Sequence, residues 1–246
     1  VAKINVLDRK TAELIAAGEV VERPSSAIKE LVENCIDSGA DAVTVEIKNG
    51  GRTFIRVTDN GCGIEKDDIK NAFLRHATSK IKDACDLDNI FTLGFRGEAL
   101  ASIAAVSKVE LITKTAESQL GIKYEIHGGE EVYFDDAGCS NGTTIIVRDL
   151  FYNTPARQKF LKKDVSEANA VTGVIERIAL SHPEISFRLI KDGKQSLLTP
   201  GDNNLKSAVY SVLGRDFANT LLPCDYELDG VRVSGFVTKP ELSRKN

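Results

Sequence analysis

Glu30 and Asn34 lie four residues apart in Ser26-Ala27-Ile28-Lys29-Glu30-Leu31-Val32-Glu33-Asn34-Cys35-Ile36-Asp37. On a helix, such a pair shares one face with Cβ atoms about 5–6 Å apart, so a carboxylate and an amide would open into one pocket. The carboxylate can activate a water while the amide oxygen holds a metal ion. A positioned water, a base and a cation to neutralise phosphate charge are the parts that hydrolysis of a nucleoside triphosphate requires. Asp37 continues the same polar stripe. Taken alone, Glu30 reads better as a solvated helical carboxylate and Asn34 as a residue near a helix end.

A second stretch, Asp59-Asn60-Gly61-Cys62-Gly63, follows a short β-like run. A carboxylate at a strand end can accept from the exocyclic amine of adenine, and Gly61 and Gly63 let the backbone approach a base. The competing reading is a tight turn, which Asp-Asn-Gly favours. A dinucleotide fingerprint fails because the third glycine is missing, and a calcium loop fails for want of alternating Asp/Asn ligands and a closing Glu. His76-Ala77-Thr78-Ser79-Lys80 and Gly94-Phe95-Arg96-Gly97-Glu98-Ala99-Leu100 carry hydroxyls, positive charge, glycines and a helix start, all suited to phosphate. No Gly-x-x-x-x-Gly-Lys-Ser/Thr is present, which excludes a P-loop NTPase.

The elements that must hold these residues are legible in the hydrophobic periodicity. A helix is expected over 12–17 with Gly18 as its stop, and a second after Arg23-Pro24, with Ile28, Leu31, Val32, Cys35 and Ile36 inward and Gly39 at its end. Strands 43–48 and 54–58 flank the turn Asn49-Gly50-Gly51. A helix over 66–74 leads into a long polar segment, 75–100, of the kind usually kept for function. Strands follow at 109–113, 122–126, 131–134 and 143–147, then helices at 156–161 and 165–180. A hairpin at 185–190 and 195–198, a boundary at 200–204, a helix at 205–213 and strands at 219–228 and 231–238 complete the pattern. We expect domains at 1–200 and 201–246, the latter being the start of a truncated second domain.

Two domains also fit 246 residues, given about 100–200 per domain. Hydrophobic content of 42% and charged content of 28% are those of a globular protein. No run approaches the ~20 apolar residues of a membrane span. Cys35, Cys62, Cys85, Cys139 and Cys224 form no C-x-x-C pair and lie apart from His76, His127 and His182, so reduced thiols without zinc are expected. The chain start shows neither a signal peptide nor transit character, which points to the cytoplasm. The net charge of −4 excludes a wholly basic nucleic-acid surface and leaves room for a local one.

Taken in order, Ala16-Ala17-Gly18-Glu19-Val20-Val21-Glu22-Arg23-Pro24, Glu33-Asn34 with Asp37, Asp59 to Gly63, Arg75 to Lys80, Gly94 to Leu100 and Phe151-Tyr152-Asn153-Thr154-Pro155-Ala156-Arg157 resemble the N-terminal ATPase region of the MutL family of DNA mismatch-repair proteins. The resemblance covers nearly the whole chain. It implies an α+β fold: a GHKL (Bergerat-type) ATP-binding α/β sandwich with helices on one face of a mixed sheet, then part of a second α/β domain like domain 2 of ribosomal protein S5.

It also implies ATP and Mg2+ as ligands, Glu30 as general base, Asn34 as the magnesium ligand, Asp59 as the adenine contact and Thr143 as a helper through water. Residues 76–80 and 94–100 would form a lid over the phosphates. Further implied are a homodimer on ATP binding, DNA contact through a cluster such as Arg157, Lys159, Lys162 and Lys163, and partnership with the mismatch-recognition protein MutS and a downstream nuclease or helicase. A nucleoid-associated cytoplasmic location goes with these. Cys35 and Ser38 stand where the family commonly has Ser and Ala. The second domain is expected to stop before the segment whose lysine would reach the γ-phosphate, leaving weak hydrolysis. The rival readings are a catalytically silent ATP-gated interaction module and another GHKL enzyme such as a type II topoisomerase ATPase subunit.

Overall fold

The computed structural model describes residues 5–81, 85–86, 92–94 and 97–242. Its helices are α1 (Arg9–Val20), α2 (Pro24–Asp37), α3 (Ile69–Ala72), α4 (Ala99–Ala105), α5 (Pro155–Phe160), α6 (Asp164–Ser181), α7 (Leu205–Leu213) and α8 (Arg215–Ala218). Its strands are β1 (Ala42–Lys48), β2 (Phe54–Asp59), β3 (Lys108–Lys114), β4 (Gly121–His127), β5 (Glu130–Ala137), β6 (Gly142–Arg148), β7 (Ser186–Lys191), β8 (Lys194–Leu198), β9 (Leu222–Leu228) and β10 (Val231–Val237). The first eight form one sheet in the order β5-β4-β3-β6-β2-β1-β7-β8. The sheet is mixed: β1 runs parallel to β7 and antiparallel to β2.

Alternation in β1, β2 and β3 sends one set of side chains to a helical layer and the other away from it. Val43, Val45, Ile47, Ile55, Val57, Val109, Leu111 and Leu189 are buried with Ile28, Leu31, Ile103 and Ile175 of α2, α4 and α6 in one apolar core. The other face carries cross-strand charge: Glu46 opposes Arg56 and pairs with it, and Lys123 bridges Glu110 and Glu125. This division of a sheet between core and water needs only period two.

Helix α2 starts at Pro24, whose fixed φ suits a first helical turn and whose missing N–H costs nothing there. Its preceding residue, Arg23, makes no side-chain cap but reaches across to α6, where its Nη2 meets Glu167 Oε1 at 2.9 Å. Glu167 has no exposed surface, and the same oxygen accepts the Lys162 amide at 2.9 Å. At the far end, Ser38 N–H closes on Asn34 O, and Gly39 takes a left-handed turn at φ +75°. Among the described residues no helix is long and apolar enough to cross a membrane.

Three boundaries differ from the periodicity. Helix α1 runs through Gly18 to Val20, because the Arg157 guanidinium of α5 lies where a Gly18 side chain would be, 1.1 Å from an ideal Cβ. That glycine makes room for a packing contact and does not stop a helix. The helix expected over 66–74 is a 3-10 turn, Lys66–Asp68, followed by the four residues of α3. The strand expected from 219 begins at Leu222, since α8 occupies Arg215–Ala218 after the left-handed Gly214. Beyond the bend at 201–204, α7 packs on α6 and β8, while β9 and β10 form a separate two-stranded sheet.

Ile28 sits on the inward face of α2 with no exposed surface. Ile28→Ala is expected to lower stability by about 2–5 kcal/mol, the cost of a buried large-to-small change, read as a lower urea midpoint with an unchanged slope.

Candidate functional site

Asp59 ends β2 at the floor of the site, 9% exposed. Its Oδ1 accepts the Gly61 amide at 2.9 Å and the Thr143 amide, from the neighbouring strand β6, at 3.2 Å. The approach that makes the second bond depends on Gly142. At φ +108° it presses so close that a Cβ would lie 2.2 Å from Asp59 O. Gly63, at φ +76°, likewise packs where a Cβ would be 2.3 Å from Lys114 O on β3.

A hydroxyl network continues from there. Thr113 Oγ1 donates to Gly142 O at 3.1 Å, accepts from Ile64 N at 2.9 Å and lies 3.1 Å from Thr143 Oγ1. With its one proton given to Gly142, Thr113 accepts the Thr143 proton, and the Thr143 oxygen keeps lone pairs for a water or ligand. Thr113 was not marked by the sequence, where it is one more threonine in an alternating strand. The Asn60 side chain is also structural: its Oδ1 accepts Asp41 N and Ala42 N at 3.1 and 3.0 Å and fastens the start of β1.

Burial raises the Asp59 pKa above the ordinary carboxylate value. The Gly61 amide, the Cys35 thiol and the Thr143 amide offset part of that. Cys35, on α2, touches Leu31 O at 3.2 Å, and its own pKa is pushed well up, first by burial and then by the Asp59 charge. The thiol is therefore a neutral neighbour of the carboxylate.

Glu30, Asn34 and Asp37 do share the polar face of α2. Glu30 has a side chain 31% exposed, and its contact with Lys29 Nζ is long, 3.4 Å, because that ammonium sits 2.8 Å from Glu33. Asp37 is the most enclosed of the three, with a side chain 8% exposed. It accepts Lys80 Nζ at 2.5 Å, Leu93 N at 3.1 Å and Gly94 N at 3.3 Å. Lys80 Nζ is also 3.0 Å from Asn34 Oδ1. Both bracketing segments thus converge on the helix that carries the carboxylates.

The two segments also meet each other. Gly97, left-handed at φ +62°, abuts Ala77 so closely that a Cβ would lie 2.4 Å from its carbonyl, and His76 Nδ1 is 3.1 Å from Glu98 Oε1. Thr78 Oγ1 accepts the Lys80 amide at 3.2 Å, and Ser79 is exposed. Ala99 opens α4 and Leu100 packs against the core. Phe95 and Arg96 lie outside the described residues.

Among the described residues no group of three or more His, Cys, Asp or Glu could hold a metal. Asn34 offers one amide oxygen, which suits a magnesium ion that keeps its waters and takes phosphate oxygens for the rest. In this structure that oxygen faces the Lys80 ammonium. Of the basic residues near α5, Lys159, Lys162 and Lys163 are exposed, whereas Arg157 is half-buried over Gly18.

The family model described as "Histidine kinase-, DNA gyrase B-, and HSP90-like ATPase" matches residues 22–132, the stretch holding Glu30, Asn34, Asp59 and both bracketing segments. The chain is 51% identical to a DNA mismatch repair protein MutL of Agathobacter rectalis over 99% of its own length and 38% of that protein's. It is 50% identical to that of Clostridium acetobutylicum, over 98% and 39% of the two lengths. It superposes on the Aquifex aeolicus MutL ATPase domain complexed with ADP at a TM-score of 0.73 and 32% identity, covering 89% of this chain and 78% of that one. The chain belongs to the MutL family. Its fold is that of the GHKL ATPases, and it spans about 38% of the length of its first MutL relatives and corresponds to their N-terminal ATPase region.

In this MutL-family fold the buried Asp59 works against stability. Its pKa is raised in the folded state, so folding favours the protonated acid: that contribution is fully present below the unfolded carboxylate pKa and is lost as pH rises through the folded value. Asp59→Asn keeps an oxygen to accept from Gly61 and Thr143 without a buried charge. At pH 7.5 it is expected to unfold at higher urea than the parent, the gap closing as the pH falls below the carboxylate range. A lower midpoint at pH 7.5 would show that the charge is needed for folding.

Proposed function

We propose that the chain binds ATP with magnesium and hydrolyses it, and that in the full-length protein this turnover drives a dimeric clamp in DNA mismatch repair. The observation that carries the reading is Asp59: a largely buried carboxylate held by two backbone amides and touched by Cys35 of α2, the helix that also carries Glu30 and Asn34. The ADP complex of the Aquifex aeolicus relative supports it.

In this reading Asp59 accepts the exocyclic amine of adenine, Thr143 Oγ1 holds a water beside the base, and Gly61 and Gly63 let the ring approach. Asn34 Oδ1 holds the metal, with Asp37 behind it. Magnesium, when bound, draws charge from the phosphate oxygens. Glu30, whose contact with Lys29 Nζ is long at 3.4 Å, orients and deprotonates the attacking water. Thr78, Ser79, Lys80, Gly94, Arg96, Gly97, Glu98, Ala99 and Leu100 form the phosphate lid, through side chains, backbone amides or the anchoring of α4.

The clamp follows from the lid. ATP shifts an open–closed equilibrium only by its unequal affinity for the two states, and a swing from 1:99 to 99:1 needs about 5.5 kcal/mol. Lid contacts to the γ-phosphate are where that difference arises, and the ordered lid offers a surface to a second copy. Residues 201–246 begin a second domain related to domain 2 of ribosomal protein S5. DNA meets the exposed Lys159, Lys162 and Lys163, and MutS and a downstream nuclease or helicase read the closed state in the cytoplasm, at the nucleoid.

ATP turnover measured beside nucleotide binding tests the site. Glu30→Ala is expected to bind ATP as the parent does and to lose turnover by roughly 10²–10⁴-fold, the usual worth of a general base. Tight ATP binding without turnover in the parent and in a longer form completing the second domain would mark a silent gated module. Turnover untouched in Glu30→Ala would overturn the assignment of the base.

A further inference from the structure

Lys80 occupies an odd position for a residue assigned to phosphate. Its ammonium is folded back onto α2, 3.0 Å from Asn34 Oδ1 and 2.5 Å from Asp37 Oδ2. Asn34 is the residue that would hold the metal. A magnesium–oxygen bond is about 2.0–2.1 Å, so an ion on Asn34 Oδ1 and an ammonium on the same oxygen would sit in mutual repulsion around one neutral acceptor. The two cannot share it.

We propose that Lys80 is a tethered stand-in cation that competes with the divalent metal for Asn34, and so sets the magnesium concentration at which nucleotide is held. The inference rests on the nucleotide-site reading above and deepens it. Three features support competition over a merely structural ion pair. The ammonium bridges two acceptors, where a structural pair with Asp37 would need only one. Its backbone is fixed by the Thr78 hydroxyl, which accepts the Lys80 amide at 3.2 Å, so the long side chain has one short path to α2. And Asp37 keeps Leu93 N and Gly94 N when Lys80 leaves, so departure of the ammonium does not abandon a buried carboxylate. The lysine can then be exchanged without unfolding its anchor.

The test is calorimetric titration of ADP into the parent chain, Lys80→Met and Lys80→Gln, from chelated to saturating MgCl2. The readout is the ratio of ADP Kd without magnesium to Kd with it. Removing the competitor is expected to raise this ratio at least about tenfold in both variants and to move the half-effective magnesium concentration down by a similar factor. Lys80→Gln retains a donor for Asp37 and guards against a folding defect in Lys80→Met. An unchanged or smaller ratio, including an ADP affinity weakened equally at every magnesium level, overturns the proposal and leaves Lys80 an ordinary phosphate or structural ligand. Asn34→Ala separates this failure from failure of the site. If it abolishes the magnesium dependence, the metal reading stands whatever Lys80 does. If it leaves that dependence intact, or the parent binds no ADP, the site reading itself is wrong and the proposal falls with it.

Discussion

Helix α2 divides its circumference between a dry sheet and a charged cleft, and the rest of the structure is arranged so that it does not rotate. A turn of 100° would exchange Leu31 for Glu30 at the core, burying an uncompensated carboxylate at a cost of several kcal/mol. Apolar packing of Ala27, Ile28, Leu31, Val32 and Cys35 sets the rotation. Each end is then pinned by a charged pair, the start having no side-chain cap. Arg23 with the fully enclosed Glu167 holds the start, and Asp37 with Lys80 holds the finish. Buried pairs of this kind add little net stability, because desolvation consumes most of the attraction; breaking the first leaves Glu167 without its charged partner, whereas Asp37 keeps two backbone amides when Lys80 leaves. They specify position more than they stabilise.

The cleft follows a different economy. Burial raises the pKa of Asp59, and close backbone approach supplies two amides that, with the Cys35 thiol, offset part of the shift. Gly142 and Gly63 exist to permit that approach, one against Asp59 itself and the other against Lys114. Natural proteins commonly accept such local costs where function needs a group water would otherwise solvate. Here the cost is confined to one carboxylate and two left-handed glycines, while the surrounding strands keep ideal alternation and a continuous core.

This division explains what the sequence disclosed. Period two in β1, β2, β3 and β6 and the apolar stripe of α2 follow from chain-local rules, so the strands and the shared face of Glu30, Asn34 and Asp37 were legible to within a residue or two. The α+β fold was legible in the same periodicities, once ordered motifs identified the family. What was not legible is long-range and involves small residues. Gly18 reads as a helix stop until Arg157, far along the chain, is seen to fill its missing side chain. Thr113 carries the network under Thr143, yet nothing in an alternating strand marks it out. The convergence of Lys80, Leu93 and Gly94 on Asp37 could not be read at all, because segments bracketing a long loop have no period to betray where they meet.

That convergence joins the two bracketing segments to the helix by charge. Asp37 is enclosed enough to require partners, and among the described residues it draws three from the bracketing segments and the adjoining Leu93. An anion arriving above α2 therefore competes for donors that Asp37 now holds, while a cation arriving with it competes for the oxygen that Lys80 holds. A metal–nucleotide complex brings both charges together, so on the proposed competition it must lift Lys80 from the Asp37 carboxylate as well as from the Asn34 amide, and a phosphate restores only part of that pairing. A metal ion alone meets the ammonium on the same oxygen with nothing to receive it. Linkage of this form ties retention of the complex to the magnesium concentration, and requires no structural element beyond a lysine long enough to reach two partners.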